Sequence, residues 1–218
     1  MVSDTDTPAP EAPARRRLPP EARGPQILEA ALEEFAARGY AGARMAAVAQ
    51  RAGIAKGLIY HYFPSKAALF QATVNACHQS TFEAAERQLA QHGGSARAML
   101  SAMVELGYDK ILSDRRELAL FRLIIAEAEN FPDLARFYRE EMLGRATAIT
   151  RALLRAGAAS GEFRPEVAEA PGYAEVLLAP LLMHSVWQMI LGEDAPERIA
   201  MRAAHLDLLL AGLSRQAS

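Results

Sequence analysis

The residues best equipped for chemistry lie close together, between Arg44 and Lys66, in the run RMAAVAQRAGIAKGLIYHYFPSK. Lys56, Tyr60, His61, Tyr62 and Lys66 offer ammonium, phenol and imidazole donors suited to phosphate oxygens, and Arg44 adds a guanidinium. Gly57 costs a helix about 1 kcal/mol relative to alanine, but it lets backbone approach a nucleic acid closely. Leu58 cannot hydrogen-bond a base and can touch a thymine methyl. Lys56 would place charge at a helix N-terminus, whose amides already favour anions. These residue types in this pattern point to DNA. Tyr62 has a second reading, as a ring packed partly inward.

Two short helices must position these groups. Apolar residues recur with helical spacing on either side of one glycine: Met45, Val48, Ala49 and Ala52, then Ile54, Ile59, Tyr62 and Phe63. Gly53 falls where a turn needs positive φ. The spacing predicts helices over 45–52 and 56–62, a helix-turn-helix whose second helix is offered to a major groove. A helix over 25–38, opened by Pro25 and stopped by Gly39, carries the stripe Ile27, Leu28, Ala31, Leu32, Phe35 and Ala36. Ser65 is an N-cap for a fourth helix expected from Lys66 to about Gln79, or on through Leu89 to a stop at Gly93-Gly94.

Charge supports a DNA-binding head on a differently charged body. The whole chain of 218 residues carries −2, yet Arg15–Phe70 holds nine Lys/Arg against four Asp/Glu. Residues 1–14 contribute three acids, leaving 71–218 at −4. The organisation expected is a disordered Pro/Ala-rich tail over 1–22, a head over 23–70 and a helical body over 71–218. Arg15, Arg16, Arg17 and Arg23 form a basic arm before the first helix, either a solvated tail or a contact for phosphates. Sparse β-branched residues and the absence of alternating windows make the chain all-α, with about nine helices.

The sequence resembles the TetR family of bacterial transcriptional regulators. The resemblance rests on IL-x-AAL-x-x-FA-x-x-GY over Ile27–Tyr40 and VA-x-x-AGIAKGLIYHYFPSK-x-x-LF over Val48–Phe70. It implies a homodimer that binds a double-stranded operator and is released by a small molecule. The family's usual DNA-contacting positions match Lys56, Gly57, Tyr60, His61, Tyr62 and Lys66. Two departures stand out. Ala43 and Arg44 replace the usual hydroxyl at the start of the second helix, and Ala55 and Leu58 replace Ser and Thr at the third. Each lost cap costs about 1 kcal/mol of local stability.

In the body, helices are expected over 95–112, 115–128, 134–159, 172–191 and 196–214. Ile199, Ala203, Leu206, Leu210 and Leu213 make a coiled-coil-like seam, and Leu178, Leu181, Leu182 and Ser185 a stripe on the preceding helix. Paired between subunits they would form a four-helix dimer interface; within one chain they would be ordinary core. A ligand pocket is expected among Met103, Tyr108, Phe121, Ile125, Met183 and Trp187, with Arg122 and His184 to orient a ligand. The alternative is that these are core residues, His184 among them.

No cofactor or metal is expected. Cys77 and His78 are adjacent, so on a helix they point about 100° apart. HExxH, G-x-S-x-G and P-loop signatures are absent, so an enzyme is the weakest reading. An architectural DNA binder without an effector is a second alternative, disfavoured by the large apolar body. A single cysteine and a polar N-terminus point to a cytoplasmic protein. The apolar window Tyr173–Leu191 is interrupted by Glu175, Pro180, His184 and Gln188, so no membrane partner is expected.

Overall fold

A computed structural model describes residues 20–91, 94–110 and 115–215. Residues 1–19, with the basic arm's Arg15, Arg16 and Arg17, lie outside the described residues. The helices are α1 (Pro20–Gly42), α2 (Met45–Arg51), α3 (Lys56–Tyr62), α4 (Lys66–Gln91), α5 (Ala96–Lys110), α6 (Arg115–Glu127), α7 (Pro132–Phe137), α8 (Gly144–Ala159), α9 (Tyr173–Leu191) and α10 (Arg198–Leu213). A π-helical stretch, Tyr138–Leu143, joins α7 to α8, so the two read as one rod. The chain is all-α, and that rod makes nine helices among the described residues, as expected.

The head forms as the turn chemistry dictates. Gly39 is left-handed (φ 69°), ending the regular part of α1, and Gly53 (φ 65°) turns the chain between α2 and α3. The Ser65 hydroxyl accepts from the Ala68 N–H at 3.1 Å, capping α4. Neither Arg44 nor Ala55 caps its helix with a side chain. The start of α2 is held another way: buried Glu34 on α1 accepts from the Arg44 N–H at 3.4 Å and lies 3.6 Å from the Arg51 guanidinium. Helix α1 starts a turn and a half earlier than expected and runs through Pro25.

Two apolar cores organise the chain. The first unites Ile27, Phe35, Val48, Ile59 and Phe70 of the head with Leu120 and Ile124 of α6 and Leu134 and Phe137 of α7. Head and body therefore share a core across the boundary read at residue 70. The second core joins α5, α8, α9 and α10 through Leu100, Tyr108, Leu153, Leu181 and Leu213. The α9 segment is long and apolar enough, by length and composition, to cross a membrane; here Leu177, Leu181, His184 and Ser185 are buried against other helices.

Glu162, in the loop after α8, caps α5 from a distance. Its carboxylate accepts from the Ala96 N–H at 2.7 Å, the Arg97 N–H at 3.1 Å and the Ser95 hydroxyl. These donors hold its carboxyl down to about 2.

Candidate functional site

On α3 the side chains divide by angle, as 100° per residue requires. Ile59 is fully buried in the first core, which turns Lys56, Gly57, Tyr60 and His61 outward. Tyr60 is 48% exposed, so its hydroxyl is available at the surface. A Cβ on Gly57 would meet nothing within 4 Å, so the glycine opens the surface and is not demanded by packing. Leu58 is half-buried. Tyr62 is half-buried against the head core, its ring edge-on to His61 at 5.7 Å, so it is at least partly structural.

Lys66 sits inside the head. Its ammonium donates to the carbonyls of Ala41 (3.1 Å) and Ala43 (3.3 Å) and lies 4.9 Å over the Tyr40 ring. It ties the α1–α2 turn to the start of α4. Arg44 is exposed at the N-terminus of α2 and lines a polar cleft of about 580 Å³ with Arg38 and Arg51. Sequence reasoning passed over Arg38; its one signal was a cationic position in the last turn before Gly39.

The body holds two neighbouring apolar cavities, of about 100 and 90 Å³. The first is lined by His78 and Phe82 of α4, Leu118, Phe121 and Ile124 of α6, and Tyr138 of the π segment. The second runs between α4, α5, α8 and α9, past Met103, Val104 and Leu153. Thr81, Phe82, Ala146, Leu178 and Leu181 wall both.

Phe121 and Met103 therefore fall where a pocket residue should. The other six do not. Ile125 and Met183 are 54% and 46% exposed, Arg122 is exposed, and Trp187 is half-buried outside both cavities. Tyr108 and His184 are fully buried in a core cluster with His205, the ring of Tyr108 lying 5.9 Å from His184 and 6.0 Å from His205. Burial holds both imidazoles below their usual range.

Most of the residues expected at a dimer interface pack within the single chain. Leu178, Leu181, Leu182 and Ser185 line the first cavity, so they face inward. Leu213 is buried, and Leu206 and Leu210 pack against the second core. Ile199, at 59% exposure, and Ala203 are the exposed members of the set, and Leu178, Leu182, Leu206 and Leu210 are half-buried. The exposed apolar side of α9 is instead Val176, Met183 and Ile190, spaced seven residues apart; on α10 it includes Leu208, 71% exposed. On α9, apolar almost all round, the residues expected at an interface line the cavity, and Met183, expected in the pocket, is exposed.

Residues 27–73 match the model for bacterial regulatory proteins of the tetR family, and residues 90–204 the tetracyclin repressor-like C-terminal domain. The chain is 27% identical over 186 residues to the HTH-type transcriptional regulator BetI of Burkholderia thailandensis, covering 73% of this chain and 95% of that one. It shares its fold with a Saccharomonospora viridis protein solved in complex with choline (TM-score 0.69, 23% identity, 90% and 99% of the two chains). It shares it also with the regulator FadR of Bacillus subtilis in complex with stearoyl-CoA (TM-score 0.64, 19% identity, 86% and 98%). With a reading head over the first stretch and a helical body over more than half its length, the chain belongs to the TetR family of bacterial transcriptional regulators.

Proposed function

We propose that the protein is a homodimeric repressor, held on a palindromic operator until a small apolar or amphipathic effector enters the body cavities. The observation that carries this reading is the double position of Ile124. It lines the first cavity and also belongs to the core shared with α1–α4, so a molecule in the cavity presses on the packing that orients the head. A second link runs along α6, where Glu127 accepts from the Ala41 N–H at 3.4 Å beside the turn that Lys66 holds. Helix α4 is a third, since it carries both Lys66 and His78. The ligands held by the choline and stearoyl-CoA complexes support small-molecule sensing.

DNA is met by Arg44, Lys56, Gly57, Tyr60 and His61, with Arg38 alongside Arg44. The partner subunit is met by the face carrying Val176, Met183, Ile190 and Leu208. Two reading helices then meet successive major grooves, about 34–36 Å apart. The protein acts in the cytoplasm, on DNA, as a sensor and not as a catalyst.

The effector can shift the equilibrium only by its differential affinity for the two states. Reciprocity then fixes the test. An operator is first selected from random duplexes, where a palindrome is expected. A bound effector is then titrated calorimetrically with and without that operator. For a coupling of about 1–3 kcal/mol the two affinities differ by about 5–150-fold; equal affinities refute the reading.

A further inference from the structure

We propose that the two cavities are one slot for a single unbranched aliphatic chain, its small uncharged or anionic head lying at the His78–Tyr138 end. The inference rests on the cavities being the effector site and adds the shape and polarity of the effector.

Adjacency comes first. Five residues wall both cavities, so the two lie side by side across a partition one side chain thick, and a bound chain joins them by turning those side chains aside. Length comes second. The lining runs from His78 to Ala85 along α4, from Leu177 to Ser185 along α9, and from Met142 to Leu153 along the π segment and α8. At 1.5 Å per residue these spans are about 10, 12 and 16 Å. Three bonds of an extended chain cover about 3.3–3.6 Å, so the slot takes roughly nine to thirteen bonds. A compact or fused-ring molecule of the same volume would not fill both lobes.

The walls decide polarity. Among the described lining residues no carboxylate faces either lobe. A quaternary ammonium would rely on ring faces alone. One of those rings, Phe82, already carries the Arg145 guanidinium 4.7 Å from its centroid, and Arg145 is itself bonded to Glu86 at 2.8 and 2.9 Å. The hydroxyls of Ser185 and Thr150 donate to their own helices, at the carbonyls of Leu181 (3.2 Å) and Ala146 (2.9 Å), which leaves hydrocarbon towards the slot. The far lobe, around Met103, Val104 and Leu153, is aliphatic. At the near end stand the His78 imidazole and the Tyr138 phenol, whose proton is held by burial. A water in the far lobe would meet the Thr81 hydroxyl and otherwise hydrocarbon, short of the two to four partners it needs, whereas a methylene chain needs none.

The test is native mass spectrometry and thermal shift of the full chain with saturated fatty acids from hexanoic to stearic, the matching primary alcohols, and choline. Affinity should rise about fourfold per added methylene until the chain has roughly nine to thirteen bonds, then stop rising. Ala85→Phe, which fills the far lobe, should move that limit to shorter chains; Ala85→Leu should do so by less. Phe121→Ala, in the near lobe, should weaken all lengths without moving the limit. Choline binding more tightly than the acids and alcohols, an affinity independent of chain length, or a limit unmoved by both Ala85 variants would overturn the inference. A series that behaves as expected yet leaves operator affinity unchanged would sustain the slot and refute the repressor reading.

Discussion

Replacing Lys66 separates two roles for one ammonium. A lysine at this point of the motif suggests a phosphate contact, but its ammonium is already engaged by the Ala41 and Ala43 carbonyls and the Tyr40 ring. Hydrogen bonds from a charged group contribute about 1.5–3 kcal/mol each when well buried, and a cation over a ring about 0.5–1 kcal/mol at exposed sites. Lys66 is half-buried, so the sum is discounted towards the low end. Lys66→Met, which keeps the stem and removes the charge, should destabilise the protein by about 1–3 kcal/mol. At about 2–4 °C per kcal/mol for a chain of this size, Tm should fall several degrees. The dependence of log K on log salt should stay as it was. A lost phosphate contact would instead reduce that slope by about 0.9. Thermal unfolding and a mobility-shift titration at several salt concentrations decide the matter. An unchanged Tm with a slope smaller by about one would refute the structural role.

Lys56→Ala should give the converse result: a slope reduced by about 0.9 in the same titration, with Tm unchanged or slightly raised because a cation leaves a helix N-terminus. Leu208→Asp should convert the dimer to monomer in light scattering while leaving helical circular dichroism intact, because Leu208 is 71% exposed in the single chain. Glu162→Ala should cost about 1–2 kcal/mol in urea unfolding by uncapping α5. Since the Glu162 carboxyl is lowered from 4.5 to about 2, its stabilisation is present above 4.5 and is lost as pH falls towards 2. His184 and His205 have the opposite sign from a paired histidine: burial lowers both, so stability is full above the unfolded value of 6.5 and declines as pH drops below it. Protonation would add charge beside Tyr108 and Arg198, near Asp109 and Arg202. The urea midpoint of wild type should fall between neutral and mildly acidic buffer, and His184→Leu with His205→Phe should flatten that fall.

The head was legible because its signals are local. Gly39 and Gly53 announce left-handed turns, Ser65 announces a cap, and Val48, Ala49 and Ile59 fall at helical spacing and meet in one core. What was not legible there depends on contacts distant in sequence. Glu34 replaces the missing hydroxyl cap of α2 from ten residues away, and Lys66 reaches back 25 residues to Ala41. Nothing in the spacing of a single lysine distinguishes a carbonyl of its own chain from a phosphate.

The body shows the same limit in a different form. A hydrophobic stripe reveals which face of a helix avoids water only when the other face is polar. On α9, Val176, Met183 and Ile190 on one side and Leu178, Leu182 and Ser185 on the other are equally apolar, so periodicity identifies two faces without saying which meets the cavity. That choice is made by α4 and α6: Phe82, Phe121 and Ile124 occupy one side of α9 and leave the opposite side bare. The apolar side that remains is required by neither core. A soluble chain that keeps Met183, Ile190 and Leu208 in water gives up about 25 cal/mol for each Å² of apolar surface left exposed. Association with a second copy through α9 and α10, as proposed, would remove that loss and would set the proposed effector cavity on the opposite side of α9 from the partner. A ligand that reshapes α9 from within would then alter the angle between two subunits as well as the packing of α6 on the head.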